Sequence, residues 1–154
     1  MIELLYELMK NSKRSDRELA KVVKVSQPTI TRMRKNLEKS EYIREYTIIP
    51  ALEKLGFEIL ALNFLSTSTK PRDIEEMQEW ISESQKIILS GLGEGLNGKT
   101  LLLVSVHRDF TDFSDFTREL RGILGLKGAS LDSFLVSLKT DMIKRFSFKD
   151  LERI

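Results

Sequence analysis

Two serine-led helix starts, eleven residues apart, constrain this chain more than any other feature of its sequence. Ser15-Asp-Arg-Glu18 has the spacing of a capping box, in which a serine hydroxyl and a glutamate carboxylate each satisfy an orphan amide of the first turn. Ser26 is a second N-cap, and Pro28 sits just inside the next helix, where a missing N–H goes unnoticed. The first cap predicts a short helix from about Asp16 to Val23; the second predicts one running to about Lys39. Ahead of both, Ile2 to Lys10 puts Leu4, Leu5, Leu8 and Met9 on one helical face. Ala20 is small enough for a close helix–helix contact, and Leu19, Val23, Val25, Ile30 and Met33 fall at inward offsets around it. Three helices in this arrangement predict a helix-turn-helix, whose second helix enters the DNA major groove by its N-terminal end.

The charge distribution agrees. The net charge is only +2, but residues 1–50 carry 11 Lys/Arg against 7 Asp/Glu and the remainder 14 against 16. Between Lys10 and Lys35, nine basic residues face only Asp16 and Glu18, an electrostatic footprint suited to phosphate. Taking Ile30, Met33 and Leu37 as inward leaves Pro28, Thr31, Arg32 and Lys35 outward, with Thr29 and Asn36 flanking. Hydroxyl, amide and guanidinium groups in such a row can meet base edges or phosphates. The candidate DNA-binding residues are Ser26, Gln27, Thr29, Thr31, Arg32, Arg34, Lys35 and Arg44.

Residues 44–49 read as a short strand with Tyr46 and Ile48 on one face, ended by Pro50. Beyond it the texture changes. Strand patterns cover residues 57–67, 86–92, 101–107 and 131–138, and helical patterns cover 73–84 and 109–124. Ile74, Met77, Trp80 and Ile81 form the stripe of the first of these helices; Phe113, Phe116, Leu120 and Leu124 form that of the second. The order β-α-β-β-α-β is the split βαβ arrangement of ferredoxin-like domains. The expected class is α+β, with a DNA-binding domain at 1–50, a hinge at 51–56 and a βαββαβ domain at 57–154.

The stretch SDRELAKVVKVSQPTITRMRKNLEKSEYIREYTIIP, followed by Leu55-Gly56, resembles the Lrp/AsnC (feast/famine) regulators, particularly archaeal members. The resemblance extends over nearly the whole chain. It implies a winged helix-turn-helix with residues 44–49 as the wing strand, joined to an ACT-like (RAM) domain for dimerisation and effector binding. It also implies a homodimer, assembling further in some members, on double-stranded DNA, with amino acids or similar metabolites as effectors. Ser90, Gly91 and Glu94 answer to the family's effector motif, which the longer loop here alters. Lys24 and Glu41 stand where glycines are common, and Met33-Arg34 reverses a frequent arginine–aliphatic order, which, set against the resemblance, implies Arg34 at the helix edge, on phosphate. Some proteins resembling this family are haem-pathway decarboxylases, the alternative reading of the scaffold; the expectation here is a non-enzyme.

Gly93-Glu-Gly-Leu-Asn-Gly98-Lys99-Thr100 matches a P-loop letter for letter. A P-loop needs a helix after it, whereas Leu101-Leu-Leu-Val-Ser-Val-His107 reads as a strand, so a glycine-rich hairpin is the expectation. The absence of cysteine excludes a disulfide scaffold, a zinc–cysteine site and a catalytic thiol. His107 is the sole histidine and reads as a strand-end residue, so no cofactor or metal is expected. Asp109, Asp112 and Asp115, with Arg118, read as a solvated helix face. The basic run of Lys144, Arg145 and Lys149 could touch nucleic acid or form a fraying tail. No apolar run approaches the ~20 residues of a membrane span, and no leader pattern opens the chain, which points to a cytoplasmic protein.

Overall fold

A computed structural model of the chain describes residues 1–66, 71–95, 97–123 and 131–151, with the side chains of residues 71–74 left aside. By contact the chain divides into two compact units, one formed by Met1–Pro50 with the segment from Lys144 onward and one by Ala51–Ile143. Among the described residues no helix is long and apolar enough to cross a membrane.

The first unit holds α1 (Ile2–Lys10), α2 (Asp16–Val23) and α3 (Gln27–Lys39). The capping box forms: the Ser15 hydroxyl accepts the Glu18 amide at 3.3 Å, and the Glu18 carboxylate accepts the Ser15 amide at 2.7 Å. Ser26 caps α3 by accepting the Thr29 amide at 3.3 Å. Leu4, Leu8, Leu19, Ala20, Ile30 and Leu37 make the core, with Leu5, Val23, Met33 and Ile43 packed around it.

Lys24 ends α2 in the left-handed region, at φ 58° and ψ 44°. The chain then turns back, and the Val25 amide donates to the Ala20 carbonyl at 3.0 Å. That turn corrects one expectation. Val25 is among the exposed large apolar residues rather than in the core, because it follows the left-handed residue and its side chain leaves the inward helical stripe. A second correction concerns residues 44–49. The described residues there form no strand, since an extended segment joins a sheet only when a neighbour accepts and donates its backbone bonds, and no described strand pairs with it.

The second unit opens with a 3-10 turn, Leu52–Leu55, closed by Gly56 at φ 87°. There follow β1 (Ile59–Leu65), α4 (Pro71–Glu83), β2 (Ile87–Gly95), β3 (Lys99–His107), α5 (Phe110–Ile123) and β4 (Leu131–Ser137). The antiparallel sheet runs β2-β3-β1-β4, the order expected of a ferredoxin-like domain. Leu65, Met77, Leu101, Leu103, Phe116 and Leu120 form its core, with Trp80, Ile81, Ile87 and Leu131 against them. Leu124 and the side chain of Ile74, both expected inward, lie outside the described residues.

Within this sheet runs a neutral polar chain. Asn63 donates to the Ser105 hydroxyl at 3.0 Å and accepts from Ser133, directly opposite on β4, at 2.7 Å. Ser105 meets His107 Nε2 at 2.8 Å. His107 is fully buried at the end of β3, edge-on to Phe113 with ring centroids 5.3 Å apart. Its Nδ1 has no hydrogen-bond partner and lies 3.9 Å from Asp112. Burial pushes the imidazole down to about 4, against the opposing pull of Asp112, so the ring is neutral at pH 7.

Candidate nucleic-acid interface

Helix α3 separates its two faces cleanly. Ile30 and Leu37 are fully buried, while Gln27, Pro28, Arg32, Lys35 and Asn36 are exposed. At 3.6 residues per turn Pro28, Arg32, Lys35 and Asn36 fall on the side away from Ile30 and Leu37, while Gln27, nearer the apolar stripe, is exposed in the first turn. Ser26 and Thr29 sit at its N-terminal end, their hydroxyls 2.8 Å apart. Unpaired amides and the helix dipole make that end favourable to phosphate. Arg44, beyond α3, is exposed.

Thr31 and Arg34 are placed differently from their neighbours. The Thr31 hydroxyl donates to Asp16 Oδ2 at 2.7 Å. The Arg34 guanidinium donates to Asp16 Oδ1 through Nη2 at 2.7 Å and Nε at 3.1 Å. Arg34 also hydrogen-bonds Tyr46, whose hydroxyl donates to Glu38 at 2.7 Å. The Thr31 hydrogen bond, reinforced by Arg34 and opposed by burial, holds the Asp16 carboxyl below the usual carboxylate range.

Sequence reasoning gave Asp16 no role beyond relieving a basic block. The signal that could have found it is the pairing of Thr31 with Arg34, three residues apart and hence adjacent on α3, opposite the first turn of α2. Glu7 was missed likewise. It is buried on α1 between Lys10 and Arg14, each at 2.6 Å, and the Lys10 bond, opposed by burial and helped by Arg14, lowers its pKa. Part of the basic block is thus spent inside the unit.

The glycine-rich stretch of the second unit is a hairpin, as its sequence context predicts. Gly95 pairs with Lys99, and Gly95, Asn97 and Gly98 all have positive φ. Lys99 is buried beside Asp132 at 3.1 Å, and it opens β3 rather than a helix. Ser90 and Gly91 line an open groove of about 360 Å³ between α4 and β2, with Met77, Ile81, Leu92 and Leu101. Glu94 is exposed further along β2 and does not line it. Asp109 accepts the Asp112 amide at 2.8 Å, Asp112 pairs with Lys86, and Asp115 pairs with Arg118 at 2.9 Å. The buried His107 presents no face to a substrate.

A family model described as winged helix-turn-helix DNA-binding matches residues 2–44. An uncharacterised HTH-type transcriptional regulator of Pyrococcus furiosus is 26% identical over 137 residues, 88% of this chain and 89% of its own length. The HTH-type transcriptional regulator LrpC of Bacillus subtilis is 30% identical over 80 residues, 52% of this chain and 54% of its own. In fold, the chain is similar to a transcriptional regulator of Neisseria meningitidis solved in complex with L-Met, with a TM-score of 0.80, 21% identity and coverage of 96% and 92%.

Proposed function

We propose how this chain binds its operator from one premise: it belongs to the Lrp/AsnC family of DNA-binding transcriptional regulators. In this reading residues 1–50 bind DNA, 51–56 act as the hinge, and the βαββαβ unit carries dimerisation and effector binding. Gln27 and Arg32 meet base edges from α3, while Lys35 and Arg44 meet phosphates. Ser26 and Thr29 hold the helix N-terminus ready for a backbone phosphate. Thr31, its hydroxyl proton given to Asp16, offers its methyl group to a thymine methyl.

The observation that carries this reading is the capped α3, anchored by Ile30 and Leu37 and exposing Arg32 and Lys35 on one side, with Gln27 exposed in its first turn. A homodimer would present two such helices to successive major-groove faces, on half-sites about one helical turn apart. Exposed Leu89, Leu92 and Phe134 on the sheet strands favour a second copy over solvent. The effector proposed is an amino acid or similar metabolite in the groove at Ser90 and Gly91, with Glu94 nearby. Its about 360 Å³ suits a small ligand.

The test is footprinting and gel-shift on DNA upstream of the chain's own gene, with sedimentation to fix the binding species. Two protected half-sites a turn apart, bound by a dimer and shifted by one member of an amino-acid panel, are expected. Binding that ignores both sequence and salt would remove the DNA-binding reading.

A further inference from the structure

Arg34 looks, in the sequence, like one more cation for phosphate; the folded chain holds it against α2 instead. Its guanidinium gives two hydrogen bonds to Asp16 Oδ1, and Thr31 takes the other carboxylate oxygen. Both charged side chains are about four-fifths buried, at 19% and 22% exposure. Tyr46, itself bonded to Glu38, interacts with the same guanidinium. One chain of polar contacts thus ties α2, α3 and the segment after α3 together. Arg32 lies roughly 200° around the helix from Arg34 at 3.6 residues per turn, and Arg32 and Lys35 are exposed.

We infer that Asp16 is a positioning residue that keeps Arg34 off the DNA, so that Lys35 supplies the phosphate-directed charge of α3 while Gln27 and Arg32 read bases. The inference rests on the DNA-binding reading. A phosphate reaching for Arg34 would have to displace a carboxylate already in place and leave Asp16 with only its Thr31 bond, in a partly dry site. Keeping the guanidinium withdrawn lowers affinity for any duplex alike, because phosphate contacts are blind to sequence. The pair therefore lowers the sequence-independent part of the affinity, for operator and unrelated duplex alike, and ties α3 to the first turn of α2.

The experiment is the salt dependence of affinity, for operator and for an unrelated duplex, measured on the full chain. Each phosphate contact adds about 0.9 to the slope of log affinity against log salt. Lys35→Met should flatten the slope by about 0.9, and Arg34→Met should leave it unchanged. Asp16→Asn frees Arg34 and should steepen it by about 0.9, strengthening binding to operator and to the unrelated duplex alike, several-fold. The double variant Asp16→Asn with Arg34→Met leaves no unpaired charge and should keep the parent slope, which covers the case of a single variant that does not fold. An Arg34→Met slope flattened as much as that of Lys35→Met overturns the inference. Parent protein without salt-dependent binding would instead sink the DNA-binding reading on which it rests.

Discussion

The two units differ in the polar networks that tie their elements together. In the helical unit the half-buried or buried acids Glu7 and Asp16 are ionised, and each is neutralised by a cation at 2.6–2.7 Å. In the sheet unit Lys99 is buried beside its ion-pair partner Asp132, but the chain linking β1, β3 and β4 is neutral: the buried Asn63 amide, the buried Ser105 hydroxyl, an uncharged imidazole and the exposed Ser133 hydroxyl. A charge removed from water needs a counter-charge, whereas a neutral donor needs only an acceptor. The difference teaches where each unit is sensitive. The helical unit answers to loss of carboxylate charge, and the sheet unit to gain of imidazole charge.

Acid should separate them. His107 titrates at about 4 in the folded chain against 6.5 unperturbed, so its contribution is fully present above pH 6.5. As the pH falls from 6.5 to 4, the unfolded chain takes up a proton that the folded chain refuses, and about 3 kcal/mol of stability goes. Glu7 and Asp16 have lowered pKa values, so their contribution is present above the ordinary carboxylate range and is lost only as the pH falls through and below it. The sole tryptophan, Trp80, lies in the sheet unit, and Tyr6, Tyr42 and Tyr46 are the three tyrosines, all in the helical unit. Denaturation followed by the two fluorophores should show the Trp80 transition weakening between pH 6.5 and 4 while the tyrosine transition holds. One coincident transition with no such window would break the contrast.

Asn63→Ala tests the neutral chain at its centre. It strips a partner from the buried Ser105, which keeps His107, and from the exposed Ser133, and each lost hydrogen bond costs about 0.5–1.5 kcal/mol. The loss should appear in the Trp80 transition at neutral pH. A change under ~0.5 kcal/mol, the range of an ordinary surface substitution, would mean that the chain contributes nothing.

The smallest effect concerns two turns of the helical unit. Lys24 and Glu41 are held at φ 58° and 57°, a region that disfavours a side chain by about 1–2 kcal/mol and glycine hardly at all. Glycine gives some of this back through the entropy of the unfolded chain, so Lys24→Gly and Glu41→Gly should each stabilise the tyrosine transition by about 0.5–1 kcal/mol. Destabilisation by either would show that the side chain does more than tolerate its backbone.

What was legible in the sequence follows the same division between local and distant causes. The limits of α2 and α3 could be read because their caps lie within three residues of the groups they satisfy, at Ser15–Glu18 and Ser26–Thr29. The sheet order followed from alternation and from the short connection at Gly95 and Gly98. The polar chain was not legible, since Asn63 meets Ser105 and Ser133 through strand register, 42 and 70 residues away. Arg34 was misleading for the same reason. Its partner is 18 residues off, across a turn whose left-handed Lys24 sets the geometry. Residues 44–49 had the composition of a strand, but a strand also needs a neighbour, which composition does not supply.

The most direct measurement for the whole account is the ratio of operator to non-specific affinity in Arg32→Ala, at fixed salt, against the parent chain. A base-reading arginine carries about 1–3 kcal/mol of discrimination, so the ratio should fall about 5- to 150-fold, with the loss concentrated at one base-pair position. An unchanged ratio, with operator binding as tight as the parent's, would contradict the claim that this face of α3 reads DNA.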